Sequence, residues 1–253
     1  MDGRDESGRC GWPDLAAPYA TALREAVRYI FGRWRPVGIL ASGTIIRGNP
    51  SPNSDLDLYV LHEAPDRQRV QRFFAGVPAE IFVNPPERVE RYFESEKRDG
   101  RLMTAHMLAT GFVVYQEGPA VERLRALASD ALAATPDPPP AFLTQRRYAV
   151  ATWLEDAEDV AGADPELCAM LLCRAVEGAL EYRFWAARRW QPRYKDTLAA
   201  LETLDPSLAQ EARAFYRAPG GEERLRLARS IVGQTVGATR FFEWESPVES
   251  LNP

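Results

Sequence analysis

Asp55 and Asp57 stand one residue apart in the stretch ASGTIIRGNPSPNSDLDLYVL, residues 41–61. If DLDLYVL is a β-strand, alternate side chains share a face, so the two carboxylates project together while Leu56, Leu58 and Val60 turn to the core. Like charges held side by side invite a cation, and carboxylate oxygens suit a hard divalent one. A third acid, Glu80, is the only one inside the apolar run VPAEIFVN, where it alternates with Phe82 while Ala79, Ile81 and Val83 take the opposite face. An acid in mid-strand is costly unless it is exposed or paired.

The elements that must position these acids follow from the hydrophobic pattern. A helix is expected from about Asp14 to Gly32, then a strand VGILAS, a glycine turn, the strand DLDLYVL and a helix after Pro65. A strand AEIFVN, helical segments from Pro86 to Ala109, a strand FVVYQ and a helix from Pro119 to about Ala133 complete an α/β unit. Four prolines in AATPDPPPA, residues 133–141, remove amide donors and restrict φ, so this segment reads as a semi-rigid linker. Beyond it the pattern is helical: FLTQRRYAVATWLEDAEDVAG, a helix capped by Asp164 with Pro165 at its first position, YKDTLAALETL, another after Asp205-Pro206, and a last from about Glu222 to Phe242. The expected organisation is a domain over residues 1–134, a linker over 135–141 and a helical bundle over 142–253.

Gly43 and Thr44 follow the first strand, and ten residues separate Thr44 from Asp55, giving G-T-x10-D-x-D. This pattern resembles the signature of the nucleotidyltransferase superfamily, in which a Gly-Ser pair precedes an Asp-x-Asp on the next strand. The kanamycin nucleotidyltransferase-like and minimal nucleotidyltransferase branches are the most similar. Arg47-Gly48 and Ser54 fit the same resemblance, which covers residues 36–115; threonine stands here where serine is usual. The resemblance implies a mixed sheet with helices, of α+β or α/β class, and transfer of a nucleotidyl group, AMP in the first instance, from an NTP such as ATP, with release of pyrophosphate. It implies Mg²⁺, with two ions, held by Asp55, Asp57 and Glu80, the last either as a ligand or as general base. Ser42, Gly43, Thr44 and Arg47 would meet the nucleotide: Gly43 lets backbone amides approach the phosphates, Thr44 offers a hydroxyl, and Arg47 neutralises the leaving group.

The helical half offers further candidates. Arg174, Glu177, Glu181 and Arg188 recur at helical spacing and share a face. Kanamycin nucleotidyltransferase-like enzymes use a glutamate from their helical domain to deprotonate the acceptor, a role the resemblance allows for Glu177 or Glu181; a solvated face with arginine partners is the other reading. The run RRWQPRYKD gathers Arg188, Arg189, Arg193 and Lys195 around a proline, either as a triphosphate contact or as bases suited to a helix C-terminus. Arg101 and His106 match the R-x4-H spacing of HEPN-type ribonucleases, but they fall in the α/β half and no tyrosine follows at the expected place, so the match is coincidental. His106 is expected on a helix against the sheet, and His62 at a strand end near the rim of the site.

Composition narrows the function classes. At 253 residues, 45% hydrophobic and 26% charged, the chain can bury a real core in one large or two smaller domains. A net charge of −5 argues against a general polyanion-binding surface, so nucleic acid is not the expected partner. The polar opening MDGRDESGRCGW lacks the apolar core of a signal peptide, and no run reaches membrane-spanning length, so a cytoplasmic protein is expected. Cys10, Cys168 and Cys173 are too few for a disulfide framework, and with two histidines a zinc site is not expected. The expected partners are an NTP and a small-molecule acceptor, with an aminoglycoside-like cation as one candidate because Glu155, Asp156, Glu158 and Asp159 crowd one segment. The alternatives are AMP transfer onto a protein and a nucleotide-binding regulatory module without catalysis.

Overall fold

A computed structural model describes residues 6–248 and divides the chain after Ala134 into two compact units. In the first, α1 (Tyr19–Phe31) precedes β1 (Pro36–Ser42), a single helical turn α2 (Gly43–Ile46) and β2 (Leu56–His62). β3 (Gln68–Phe74) and β4 (Val77–Asn84) form a hairpin, followed by α3 (Pro86–Asp99), α4 (Met103–Thr110), β5 (Phe112–Gln116) and α5 (Ala120–Ala133). The five strands lie in the order β3-β4-β2-β1-β5, and the pair β2–β4 alone is parallel, so the sheet is mixed.

Alternation decides which side chains meet on each face. Leu56, Leu58 and Val60 of β2 and Ala79, Ile81 and Val83 of β4 are buried in one cluster with Leu23, Val27 and Ile30 of α1. Each fully buried aliphatic side chain of this kind contributes about 1.5–3 kcal/mol. The opposite face carries Asp57, Tyr59 and Leu61 beside Glu80, Phe82 and Asn84, in register. At the Leu61 end it is closed by α5, whose Val121 lies so near Gly38 that no side chain would fit there.

Two expected elements of this unit differ from the fold. The segment after Pro65 is a strand, not a helix: β3 pairs antiparallel with β4, and its turn places Ala75 and Gly76 at φ 45° and 78°, the two positive values that a two-residue hairpin of the favoured handedness requires. The segment before Tyr19 is not helical either, so α1 is shorter than expected from Asp14.

The second unit contains α6 (Pro140–Val160), α7 (Pro165–Ala186), a short 3₁₀ turn at Tyr194–Asp196, α8 (Thr197–Leu204), α9 (Pro206–Arg217) and α10 (Gly221–Val236). All five α-helices contribute to one apolar cluster that includes Leu154, Leu172, Leu201, Phe215 and Ile231. Asp164 and Asp205 each cap a helix with proline at its first position, accepting from the amides of Leu167 at 2.9 Å and Leu208 at 3.1 Å. α7 ends at Ala186, two residues before Arg188 takes φ 54°, and α10 ends at Val236, short of the expected Phe242, because left-handed Gly237, φ 69°, closes its last turn. Among the described residues no helix is long and apolar enough to cross a membrane.

Candidate active site

β1, the α2 turn and β2 bring the G-T and D-x-D residues together. Ser42, the last residue of β1, is buried and lies opposite Asp57 across the antiparallel ladder. Gly43 then takes φ +91°, and a Cβ at this position would lie 2.5 Å from Asp57 Oδ2. The position is therefore restricted to glycine twice, by backbone conformation and by the carboxylate that fills the space. Thr44 shares a hydrogen bond with Ser54, Oγ to Oγ 2.7 Å, and the Ser54 hydroxyl also accepts from the Ser51 amide at 2.8 Å. Ser54 is buried, so this hydroxyl web ties the α2 turn to the residue that precedes Asp55. Arg47 ends the turn and is exposed.

The parallel pairing of β2 with β4 supplies the third acid. Asp57 is in register with Glu80, and Asp55, Asp57 and Glu80 each offer a carboxylate oxygen within 4.8 Å of the other two. All three are half-buried. β4 is an interior strand, so Glu80 is not a sheet-edge acid in open solvent. Its Oε1 accepts from Arg69 Nε and from Gln71 Nε2, the latter at 3.1 Å, both on β3. Glu80 in turn raises the pKa of the Arg69 guanidinium, mainly through that hydrogen bond. Three convergent carboxylates form a hard-oxygen donor set of the type that holds a divalent cation. The fit is good.

Farther along the same face the sheet floors a cavity of about 440 Å³ that also touches α3 and α4. Tyr59 and Phe82 lie stacked on its floor, ring centroids 6.0 Å apart. Arg67 donates to the Tyr92 hydroxyl at 3.0 Å, Tyr92 donates to Asn84 Oδ1 at 3.1 Å, and Asn84 Nδ2 donates to the Tyr59 hydroxyl at 3.2 Å. Burial pushes the Tyr59 phenol well up, and it pushes Glu96 above the usual carboxylate range even though both Glu96 oxygens accept from the Thr104 amide. Burial would raise Tyr92 as well, but hydrogen bonds from Arg67 and Arg88 hold it below the usual phenol range. None of these residues stood out in the sequence except as parts of apolar or helical runs. The available signal was Tyr59 and Phe82, each two residues beyond a site acid and hence on its face.

The remaining candidates have local surroundings of their own. Glu181 pairs with Arg146 at 3.7 Å, Glu177 is exposed, and Arg174 stacks over Trp153, its guanidinium 4.4 Å from the ring centre. Arg188 lies past the end of α7 and pairs with Asp137, and Arg193 pairs with Asp196. Lys195 is exposed in the 3₁₀ turn. Glu158 is bound by Arg229 at 2.7 Å, so the acidic appearance of WLEDAEDV is partly cancelled in the folded unit. His62 is not at the rim: it is buried at the far end of β2 from Asp57, donating from Nε2 to the Asp66 carbonyl at 2.8 Å. Cys10, Cys168 and Cys173 form no disulfide.

No protein-family model matches the chain, and no curated protein does either. Solved structures do match. A nucleotidyltransferase-like protein from Exiguobacterium sibiricum 255-15 superposes with a TM-score of 0.51 over 85% of this chain and 74% of that one, at 11% sequence identity. The likeness is one of fold: a nucleotidyltransferase-like mixed sheet followed by a helical region.

Proposed function

We propose that this chain is a Mg²⁺-dependent nucleotidyltransferase that moves an NMP, AMP in the first instance, from an NTP to a hydroxyl of a small molecule. The observation that carries the reading is the convergence of Asp55, Asp57 and Glu80 beside a glycine that the Asp57 carboxylate itself requires. Asp55 and Asp57 would hold the metal, which supplies charge neutralisation for a triphosphate that carboxylates alone would repel. Gly43 leaves room for backbone to approach the phosphates, the Thr44 hydroxyl is held by Ser54, and exposed Arg47 meets the leaving group.

The acceptor oxygen forms a bond to the α-phosphorus while the bond from that phosphorus to the α,β-bridging oxygen breaks. Pyrophosphate departs with the bonding electrons. Glu80, anchored through Oε1 by Arg69 and Gln71, takes the hydroxyl proton on Oε2. Incubation with α-labelled NTPs, Mg²⁺ and cell extract tests the reading: label on a metabolite with stoichiometric pyrophosphate supports it, label on a polypeptide redirects it to protein modification, and nucleotide binding with no transfer leaves a regulatory module.

A further inference from the structure

The cavity beyond Glu80 lies on one side of the acid cluster, and the Gly43–Thr44 turn lies on the other. In the sheet order β3-β4-β2-β1-β5, the turn follows β1 whereas the cavity floor is built on β2 and β4 and its rim on β3. Displacement at phosphorus proceeds with attacking and leaving oxygens roughly in line. If pyrophosphate leaves toward the turn, the attacking hydroxyl must come from the β4 side. Two residues along a strand advance it by about 6.6 Å, so Tyr59 and Phe82 lie one side-chain repeat beyond Asp57 and Glu80. Arg69 spans that step, bonded to Glu80 and with its guanidinium 5.2 Å from the centre of the Phe82 ring.

The chemistry of the cavity selects its occupant. Arg67 donates to the Tyr92 hydroxyl, the Arg88 guanidinium lies 5.7 Å from the centre of the Tyr92 ring, and neither makes an ion pair among the described residues. A guanidinium held on a phenol with no carboxylate paired to it, and a second beside the same ring, suit an anion. Glu96 is the acid in the wall, on the α3 side of the cavity, where its two oxygens share the Thr104 amide. The stacked aromatic floor suits the apolar face of a ring, and a volume of about 440 Å³ suits a small molecule.

We propose that this cavity is the acceptor site and that the acceptor is a small hydroxylated anion, a sugar phosphate or hydroxy acid, whose charged group is held at Arg67, the arginine of the lining that has no carboxylate partner, while its hydroxyl reaches Glu80. The inference rests on the transferase reading for the role of the cavity, but not for its ligand class. An acceptor of the aminoglycoside type is excluded by it, since a polycation would meet arginines at the mouth.

Binding is measured by isothermal titration and ligand-observed NMR on the Asp57→Asn protein without metal or nucleotide, using D-ribose 5-phosphate, glycerate, D-ribose and glucosamine as probes. Ribose 5-phosphate or glycerate should bind at least tenfold more tightly than ribose or glucosamine. Arg67→Gln, at an exposed position, should remove most of that preference, Arg88→Gln a smaller part, and Arg47→Gln should leave it intact. Failure of both anions to bind, equal binding of glucosamine, or loss in Arg47→Gln with retention in Arg67→Gln would overturn the proposal. Magnesium-dependent pyrophosphate release from the wild-type protein is followed separately with each probe. Anion binding at the arginines without release in any arm leaves the pocket standing and removes the transferase reading. Release without anion binding does the reverse.

Discussion

Two sets of carboxylates in this molecule have similar sequence spacing and opposite fates. Glu177 and Glu181 on α7 are four residues apart, a separation that puts like charges on one helical face. There the helix spreads them: Glu177 is exposed and Glu181 has Arg146 as its neighbour. Asp55 and Asp57 are closer in sequence, and the sheet adds Glu80 from another strand, so three acids come within 4.8 Å with an arginine bonded to one of them. A protein has no reason of stability to concentrate negative charge in a half-buried spot, because both repulsion and desolvation oppose it. The contrast separates a surface that spaces its acids from a cluster whose convergent oxygens match the donor set of a divalent cation.

The sharpest way to break this comparison is to neutralise one acid in each set. Asp57→Asn keeps the shape of the side chain and should reduce Mg²⁺-dependent pyrophosphate release by roughly 10³-fold or more, several kcal/mol in the barrier. It should also abolish any rise in Tm on adding Mg²⁺, which reports metal binding without turnover. Glu181→Gln should leave both measurements close to wild type. An equal loss from the two substitutions would erase the distinction between the sets and restore α7 as a source of the catalytic base. Glu80→Gln should cost about 10²–10⁴-fold in rate as a general base, while retaining the Mg²⁺-induced rise in Tm that Asp57→Asn loses.

A smaller effect is expected where the site depends on backbone. Gly43→Ala meets the Asp57 carboxylate and places a side chain at φ +91°, so the fold should lose about 1–3 kcal/mol in urea denaturation. Metal affinity should fall with it, because Asp57 must move. Gly48 also has positive φ but has nothing within 4 Å of the added Cβ, so Gly48→Ala should destabilise without touching metal affinity. In the helical unit, Asp205→Ala removes the cap of α9 and the partner of Arg183, and should cost about 0.5–2 kcal/mol of stability with metal binding unchanged.

The smallest effect concerns the cavity. Arg67 and Arg88 favour the ionised Tyr92 phenol, so Arg67→Gln should move its titration midpoint upward, toward the ordinary phenol value. Ultraviolet difference titration against a Tyr92→Phe control measures this. An unmoved midpoint would mean that Arg67 does not hold the phenol in solution, and that it is not the anion seat.

What could be read along the chain was local. Strand FVVYQ stands at the expected residues, Asp164-Pro165 and Asp205-Pro206 mark helix starts, and the alternation of DLDLYVL assigns Leu56, Leu58 and Val60 to the core, because each depends on periods of two or 3.6 residues and on side chains reaching their own backbone. The G-T-x10-D-x-D spacing suggested metal chemistry for the same reason: a turn and the strand after it are neighbours in sequence. What only the tertiary structure decided was non-local. The polar, exposed segment QRVQRFF reads as a helix until β4 pairs with it and Glu25 of α1 accepts from the Ala75 amide at the turn, at 2.9 Å. Its conversion to a strand places Arg69 and Gln71 on Glu80, contacts that no helix would have made. The register that sets Asp57 opposite Glu80, the Gly43 backbone against Asp57, and the chain of hydrogen bonds from Arg67 through Tyr92 and Asn84 to Tyr59 all join residues from different elements. Pairing and register across elements are set by the packing of the whole sheet, and a single residue of slip would have sent every one of these side chains to the other face.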